Sequence, residues 1–467
     1  MKMFPATTYI ERRKRLKEDL ESGILLFLGN DQSPINYPDN AYAFRQDSTF
    51  LYFWGIDLPG LAAIIDIDQN RETVFGRDLT IEDIIWGGPQ ASLKDHCLAA
   101  GVENISAPDQ LEVTLQAALQ KGRTVHFLPQ YRPENLIKIQ RMLGLSAEIV
   151  NEHVSPPFIK AVVRQRSIKT AEEIQQIEAA LDVTFEMHTL AMKMSRPGMY
   201  ENEAVGAMAG LAYSRVSSVP AYPIIFTTRG HILHNPYHGN VMRENDLVIN
   251  DCGSESAMHY ASDITRTFPV GGRFSEKQKE LYSVLLEAQI KAVERVRPGV
   301  EYREIHLNNA RDIALDLIAL GLMKGDVDEA VAAGAHALFN PAGLGHMLGL
   351  DVHDMEDLGE DYVGYTAAIQ RNPQFGINRL RLAKKLEPGF VITVEPGLYF
   401  IPELIDQWKA EKKFEAFIDY EKVETYRDFG GIRIEDDVLV VDGGQRILGK
   451  PIPKSIDEVE ALSSQAG

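Results

Sequence analysis

Residues 386–400 read LEPGFVITVEPGLYF, and they contain the arrangement that decides the fold. A turn at Pro388 and Gly389 precedes an apolar, β-branched run, and Glu395 then stands before a second Pro-Gly pair. A short apolar run between turn residues is typical of a buried strand. The stretch therefore predicts a strand that ends in a carboxylate.

The same arrangement occurs earlier in the chain. Residues 246–253, DLVINDCG, form a turn, an apolar run and then Asp251 close to a glycine. A second pair of related segments is RPGMYENE at 196–203 and RPGVEYRE at 297–304. If they are not a chance similarity, they predict an internal pseudo-twofold repeat. Its two halves would each deliver an acid from a strand end to a site where the halves meet.

A helix is predicted before each of the two RPG segments. Thr170 is followed three residues later by Glu173, and Ser275 by Gln278, as a capping box requires. Apolar residues then recur at helical spacing after Thr170. We expect each helix to run from its cap to the RPG segment that follows it.

The first 160 residues alternate between helical and strand patterns. Residues 9–20 read as a charged helix, and residues 23–28, 61–66 and 124–128 as short buried strands. Such alternation indicates an α/β layer domain. The overall prediction is an α+β protein with a smaller N-terminal α/β domain at residues 1–160. A catalytic domain with the internal repeat would follow at residues 161–467.

Composition excludes several classes of protein. A formal net charge of −19 argues against nucleic acid or an anionic membrane as a partner. No run of about 18 apolar residues is present, so no membrane span is expected. The polar N-terminal stretch predicts no secretory signal. Cys97 and Cys252, the only cysteines, cannot form a disulfide framework, which favours a reducing, cytoplasmic location.

Acids and one imidazole recur within apolar or glycine-rich segments. These segments are NDLVINDCG, YASDITRTFPVGG, GLGHMLGLDVHD, LEPGFVITVEPGLYF and GGIRIEDDVLVVD. In the last of them, period-two alternation places Arg433 and Glu435 on one face of a strand. Any one of these acids also fits a cap, a turn or a surface position, and the histidine fits a core position. Spacing alone does not establish that they converge.

If the acids do converge, they require a counter-charge. Carboxylates a few ångströms apart cannot all stay ionised without one. Four oxygen ligands and an imidazole favour Mn²⁺, or Co²⁺ and Zn²⁺ by availability. Two such ions about 3.5–4 Å apart can generate a hydroxide nucleophile and polarise a carbonyl, which is the chemistry of a hydrolase.

Four segments extend this interpretation, because together they resemble a known family. ASDITRTFPVGGRF, GHMLGLDVHD, LEPGFVITVEPGLYF and GIRIEDDV, in this order, resemble the metal-site blocks of the pita-bread, methionine-aminopeptidase-like family. The similarity is to its proline-specific members, aminopeptidase P and prolidase, and FRQDSTFLYFWG at 44–55 resembles their N-terminal domain. The resemblance implies two metal ions, typically manganese, with a bridging hydroxide. It implies five ligands, of which the fourth also shuttles a proton: Asp251, Asp263, His346, Glu395 and Glu435.

The resemblance also implies residues that act on the substrate. Catalytic roles fall on His234, His353 and Arg433, although a structural role is the alternative for His353. Tyr222 is expected to line the proline pocket. Arg381 resembles the carboxylate clamp of prolidase, but it also fits as one more basic residue of RLRLAKK.

The remaining position concerns a neighbouring subunit. Trp86, in IIWGGP, resembles a tryptophan whose loop reaches the active site of a neighbouring subunit; ordinary domain packing is the alternative.

One position departs from the family pattern. Relatives usually carry a histidine four residues before the metal-binding histidine, and here that position is Ala342. The five implied ligands are all present, so the departure concerns turnover and substrate preference rather than metal binding. His231 or His238 could compensate.

The leading functional expectation is an Xaa-Pro aminopeptidase that removes the N-terminal residue from peptides with proline in second position. The N-terminal segment, the step from His234 to Asp251 and the segment GLMKGDVDEAV favour it. The alternative is prolidase, an Xaa-Pro dipeptidase, favoured by Arg381 and by the long insert between Glu395 and Glu435. A catalytically silent binding protein of this fold and a non-peptide ester hydrolase are less favoured. The expected partner is a peptide substrate, and the expected assembly is a homodimer or homotetramer.

Overall fold

The structure, a computed structural model, describes residues 3–215 and 218–465 and divides the chain into two compact units. Unit 1 comprises Met1–Arg166 and Met355–Val363, and unit 2 comprises Ser167–Asp354 and Gly364–Gly467. Within the described ranges, no helix is both long enough and apolar enough to cross a membrane. The ranges 1–160 and 161–467 remain the predicted domains.

Unit 1 is built on a five-stranded mixed sheet. Its order is β6-β5-β4-β1-β7, with β1 antiparallel to β4 and parallel to β7. The strands of this unit are β1 (Ile24–Leu28), β2 (Pro34–Tyr37), β3 (Asn40–Ala41), β4 (Ala62–Asp66), β5 (Arg71–Phe75), β6 (Asn104–Ser106) and β7 (Val125–Phe127). The three predicted strands are therefore confirmed as β1, β4 and β7.

Helices cover this sheet, and its core is formed by residues such as Ile24, Leu26, Ile64 and Phe127. The helices are α1 (Ala6–Glu18), α2 (Ser48–Trp54), α3 (Ile81–Gly87), α4 (Leu93–Ala99), α5 (Gln110–Gln120), α6 (Pro133–Leu143) and α7 (Pro156–Ser167), with a 3-10 turn at Val150–Glu152. Strand β1 is buried along its whole length, which explains why its sequence is continuously apolar.

Unit 2 combines long helices with short antiparallel sheets. Its helices are α8 (Ala171–Met194), α9 (Glu201–Ser214), α10 (Glu276–Arg295), α11 (Tyr302–Ala319), α12 (Val327–Ala333), α14 (Pro402–Ala410), α15 (Tyr420–Glu424) and α16 (Ile456–Ser463), whereas α13 (Glu360–Gly364) belongs to unit 1 except for its last residue. Two 3-10 turns lie at Ala335–Leu338 and, within unit 1, at Glu356–Leu358.

The strands of unit 2 are β8 (Val219–Pro220), β9 (Ile225–Thr227), β10 (Leu247–Cys252), β11 (Ser254–Glu255), β12 (Ile264–Pro269), β13 (Val391–Val394), β14 (Gly397–Tyr399), β15 (Gly431–Arg433), β16 (Asp436–Val441) and β17 (Gly444–Ile447). They include two three-stranded sheets, with the orders β12-β10-β9 and β13-β16-β17.

The two predicted capping boxes are present. The Thr170 hydroxyl accepts from the backbone N–H of Glu173 at the start of α8, and Ser275 does the same with Gln278 at the start of α10. Each helix ends just before its RPG segment, at Met194 and Arg295. Proline and glycine explain the stops, because neither continues a helix well.

The internal repeat is confirmed by matching backbone hydrogen bonds. In the first half, the Gly198 N–H donates to the Met242 carbonyl at 2.8 Å. In the second half, the Gly299 N–H donates to the Leu386 carbonyl, also at 2.8 Å. The antiparallel bridges Tyr200–Val241 and Glu301–Lys385 correspond in the same way. Each half therefore joins its RPG turn to the segment that precedes the acid-bearing strand, β10 or β13.

One strand differs from its prediction. The segment 432–435 was expected to be a single strand, but β15 ends at Arg433 and β16 starts at Asp436. β15 pairs with β14, whereas β16 pairs with β13. Between them, the Glu435 N–H donates to the Thr265 carbonyl at 3.0 Å. The strand breaks because its backbone changes partner, and the break brings Glu435 against β12.

Candidate metal centre

A buried imidazole and two buried carboxylates form the centre of the site. Asp263, His346 and Glu435 each offer one ligand atom, and these three atoms all lie within 4.8 Å of one another. His346 Nε2 lies 3.4 Å from Asp263 Oδ2. The three residues are separated by up to 172 positions in the chain, 435 − 263, so the packing of unit 2 brings them together.

Glu395 joins this group from the second half of the repeat. Its Oε1 lies 3.4 Å from His346 Nε2. Thr393, two residues earlier on β13, donates its hydroxyl to the same oxygen at 3.3 Å. The His346 N–H donates to the Thr393 hydroxyl at 3.1 Å, so one threonine positions both the imidazole loop and the acid.

Asp251, on β10, completes the set of predicted ligands. Its Oδ1 accepts from the Tyr222 hydroxyl at 2.6 Å, and its Oδ2 accepts from Arg433 Nη2 at 2.5 Å. The same Tyr222 hydroxyl contacts Asp263 Oδ1. One phenolic proton cannot serve two ionised acceptors at once, so this geometry suits either a protonated acid or a cation that takes over one of the contacts.

Arg433 links this group to the backbone around it. Its guanidinium also donates to the Tyr399 hydroxyl at 2.9 Å and to Thr265 Oγ1 at 3.1 Å. It reaches the carbonyl of Leu233, next to His234, at 3.5 Å. Arg433 therefore pairs with the carboxylate of Asp251, a contact that the sequence did not predict.

Burial and mutual repulsion disfavour ionisation of these acids, although Arg433 opposes the effect at Asp263 and Glu395. Burial, then the charge of Asp251, raise the pKa of Asp263 to about 7. Burial, then the charges of Asp263 and Glu395, raise the pKa of Glu435 well above its ordinary value. Burial is also the main cause of the raised pKa of Glu395, although His346 opposes it. Burial and like charge disfavour ionisation unless a counter-charge is present.

The donor set fits divalent cations. Glu435 Oε1 is buried and has no hydrogen-bond partner among the described residues, although the other oxygen accepts from Thr265 Oγ1 at 2.7 Å. An orphaned carboxylate oxygen is costly in a protein interior. A metal ion satisfies such an atom, and carboxylate oxygens with one imidazole are ligands that Mn²⁺, Co²⁺ and Zn²⁺ accept.

Two further predicted residues lie around this centre. The His353 ring packs edge-on against His346, with 4.3 Å between ring centroids. His234 is exposed to solvent, but partial desolvation, then the charge of Arg433 and more weakly that of Arg381, lower its pKa. The charges of Arg433 and Arg381 therefore both act on His234.

The remaining positions are less closely tied to the centre. Trp86 lies on α3 of unit 1, and 84% of its surface is exposed. Ala342 is partly exposed in the loop before His346. Of its two possible substitutes, His238 donates its Nδ1–H to the Phe226 carbonyl at 3.2 Å, and His231 is partly exposed.

Sequence reasoning missed several supporting residues. Thr265 and Thr393 hold ligand side chains, and Tyr399 accepts from Arg433. Both threonines lie on strands, Thr265 two residues after Asp263 and Thr393 two residues before Glu395. Alternate residues of a strand share a face, so this spacing from two predicted ligands was a signal in the sequence, although Thr265 holds Glu435 rather than Asp263. Tyr399 had no comparable signal.

The buried acids, the imidazole and the repeat that assembles them define a metal-dependent hydrolase, and comparison with known proteins identifies its family. The sequence pattern of metallopeptidase family M24 matches residues 175–442, and that of the aminopeptidase P N-terminal domain matches residues 9–126. The chain belongs to metallopeptidase family M24.

Individual relatives include both proline-specific types. The Xaa-Pro aminopeptidase of Escherichia coli K12 is 33% identical over 463 residues, which cover 97% of this chain and 96% of that protein. The human Xaa-Pro dipeptidase is 30% identical over 473 residues, which cover 98% of this chain and 93% of that protein.

Solved structures match over the full length. The aminopeptidase PepP of Pseudomonas aeruginosa has a TM-score of 0.81 at 29% identity and covers 100% of this chain and 99% of its own. Zinc-substituted E. coli aminopeptidase P, solved with a product, has a TM-score of 0.80 at 30% identity and covers 100% of both chains. The predicted pita-bread fold with its N-terminal domain is thereby confirmed.

Proposed function

We propose that the chain is an Xaa-Pro aminopeptidase that releases the N-terminal residue from peptides with proline in second position. The observation that carries the proposal is the buried acid group around His346: burial and like charge raise the pKa of Asp263, Glu395 and Glu435, and one Glu435 oxygen has no hydrogen-bond partner among the described residues. Membership of a metallopeptidase family supports the same conclusion.

Two divalent ions would be held by Asp251, Asp263, His346, Glu395 and Glu435, with Mn²⁺ preferred and Co²⁺ or Zn²⁺ as alternatives. When bound, such ions lower the pKa of water to near neutrality and polarise the peptide carbonyl. A bond to proline has no N–H, so recognition must rest on the carbonyl and on the shape of the ring.

The side chains of the site would transfer the proton, bind the substrate and position the acids. Glu395 lies at the edge of the group and is partly accessible, so it would accept the proton of the attacking water and pass it to the leaving amine. His234 and His353 would donate hydrogen bonds to the substrate, and Arg433 would hold Asp251 in place through the 2.5 Å contact. Tyr222, which contacts two of the acids, would orient them rather than only line the proline pocket.

Prolidase activity is the second candidate. Arg381 favours it, because its charge acts on His234 and a guanidinium is a suitable partner for the free carboxylate of a dipeptide. An aminopeptidase acting on longer peptides has no need for this contact.

One assay separates the candidates. The protein, loaded with Mn²⁺, is offered an Xaa-Pro dipeptide, an Xaa-Pro-Yaa tripeptide and a control tripeptide with alanine in place of proline. We expect release of the first residue from the proline tripeptide, loss of turnover on chelation, and little cleavage of the control. Turnover of the dipeptide alone would identify a prolidase. Binding of Mn²⁺ without turnover of any peptide would identify a silent binding protein.

We further propose a cytoplasmic location and a homodimer or homotetramer in which Trp86 contacts a neighbouring subunit. The exposure of Trp86 supports a contact outside its own unit. Light scattering of the wild type and of Trp86→Ala tests this: the variant should form smaller species. Unchanged mass would contradict it.

A further inference from the structure

A short loop holds the two imidazoles of the site together. His346 stands at its start and His353 near its end, with their rings 4.3 Å apart. The loop closes on Asp354, whose backbone N–H donates to the Met347 carbonyl at 2.9 Å. The Asp354 carboxylate also accepts from the Asp351 N–H at 3.3 Å. The position of His353 therefore depends on its immediate neighbour.

Asp354 is in turn held by a buried lysine. Lys169 Nζ lies 2.8 Å from Asp354 Oδ2, and the two side chains are only 1% and 2% exposed. Lys169 is fixed at its own backbone, since its N–H donates to the Gly389 carbonyl at 2.8 Å. Gly349 leaves the room for this pair, because a Cβ there would come within 2.5 Å of Asp354 Oδ2.

The pair joins parts of the chain that are far apart in sequence. Lys169 is the third residue of the first segment of unit 2, Ser167–Asp354, and Asp354 is the last. Lys169 also directly precedes Thr170, the cap of α8. One end of the loop that carries His353 is thus tied to the start of the first long helix of unit 2.

Stability alone does not explain such a pair. Two desolvated charges recover little more than their desolvation cost, and apolar residues of similar size often do as well. An ion pair does, however, fix one orientation of each group, and removing one partner leaves the other buried and uncompensated. An apolar pair would fill the same space without directing the Asp354 carboxylate toward the Asp351 N–H.

We propose that Lys169 and Asp354 are positioning residues, which hold the imidazole of His353 in the orientation that acts on the substrate. The inference rests on the proposed function, since it takes His353 to act in peptide hydrolysis. It predicts that the ion pair affects turnover through His353 and not through metal binding or folding.

The test compares five proteins in their metal-loaded form. They are the wild type, His353→Ala, the neutral pair Lys169→Met with Asp354→Asn, the neutral pair combined with His353→Ala, and a control pair. The neutral pair is preferred to single changes because it leaves no uncompensated charge, and the asparagine oxygen can still accept from the Asp351 N–H. The control is Arg123→Met with Asp66→Asn, which removes a 2.5 Å ion pair of unit 1.

We expect His353→Ala to lower kcat by about 100-fold, within the range of a lost acid–base or hydrogen-bonding group. The neutral pair should lower kcat by about 10-fold or more while metal content stays at the wild-type level. Combined with His353→Ala, it should add little further loss, because both changes remove the same interaction. The control pair should keep the wild-type kcat.

Several results would overturn the inference. If the combined variant shows the product of the two separate decreases in kcat, the ion pair acts independently of His353. A neutral pair with wild-type kcat, or one that loses metal in proportion to activity, would assign it a structural role only. Wild-type turnover in His353→Ala would also remove the basis of the inference, but cleavage of the tripeptide by the wild type would leave the proposed function in place.

Discussion

Glu435 and Asp436 are neighbours in the chain and are equally buried, at 1% and 3% exposure, yet their surroundings are opposite. Asp436 Oδ1 pairs with Arg266 at 2.7 Å, and its Oδ2 pairs with Lys454 at 2.6 Å. Burial alone would raise the pKa of Asp436, but the charges of Arg266 and Lys454 hold it below its usual value. This acid is compensated by cations that the protein itself supplies.

In the part of the chain that the structure describes, no cation forms an ion pair with Glu435. The largest charge effects on it come from other acids, Asp263 and Glu395, which raise its pKa further after burial has done so. The two sides are nevertheless coupled, because Arg266 also donates to the Glu435 carbonyl at 2.5 Å. Arg266 therefore fixes both the backbone of Glu435 and the side chain of its neighbour Asp436. The Glu435 side chain keeps one oxygen that an added cation can bind.

The largest expected effect comes from replacing Glu435 by glutamine. Because the change removes a metal ligand, we expect kcat/KM with Mn²⁺ to fall by about 1,000-fold or more. Stability of the metal-free protein should be unchanged or increased, since an uncompensated buried acid is lost. Metal analysis and urea unfolding in chelator measure the two quantities. A clear loss of metal-free stability would contradict the contrast with Asp436.

The matched change on the other side is Asp436→Asn. It leaves Arg266 buried without its ionic partner, so the free energy of unfolding should fall by about 3–5 kcal/mol, with or without metal. The folded fraction of Asp436→Asn should bind metal as the wild type does. Urea unfolding alongside Glu435→Gln checks this, and a cost below about 1 kcal/mol would break the comparison.

A smaller effect concerns pH. In the metal-free fold the pKa of Asp263 is raised to about 7, so its contribution to stability is present below its ordinary pKa and is lost as pH rises through 7. Bound metal requires the ionised acids and gains affinity over the same range. The difference in Tm between Mn²⁺-loaded and chelated protein should therefore widen from pH 5 to pH 8. A constant or shrinking difference would be the contrary result.

Much of the fold followed from local sequence patterns. The capping boxes at Thr170 and Ser275, the buried strand β1 and the two RPG turns each depend on residues within a few positions of one another. The position of Glu395 after a short apolar strand is of the same kind. Hydrogen bonds and side-chain periods that span one or two turns are visible in sequence, because the interacting groups are close along the chain.

Other features depended on distant parts of the chain. Tyr222 was expected in the proline pocket, and only the structure shows its hydroxyl between Asp251 and Asp263. The strand predicted at 432–435 breaks because β15 and β16 have different partners. The pairing of Lys169 with Asp354 left no local signal either, as 185 residues separate them.

The sequence by itself determined which side chains are available as ligands and where each strand or helix would present them. The tertiary structure decided which buried acids receive a cation from the protein and which do not. That choice separates Asp436 from Glu435. The ion pair of Asp436 with Arg266 joins residues 170 positions apart in the chain, a separation over which local periodicity carries no information.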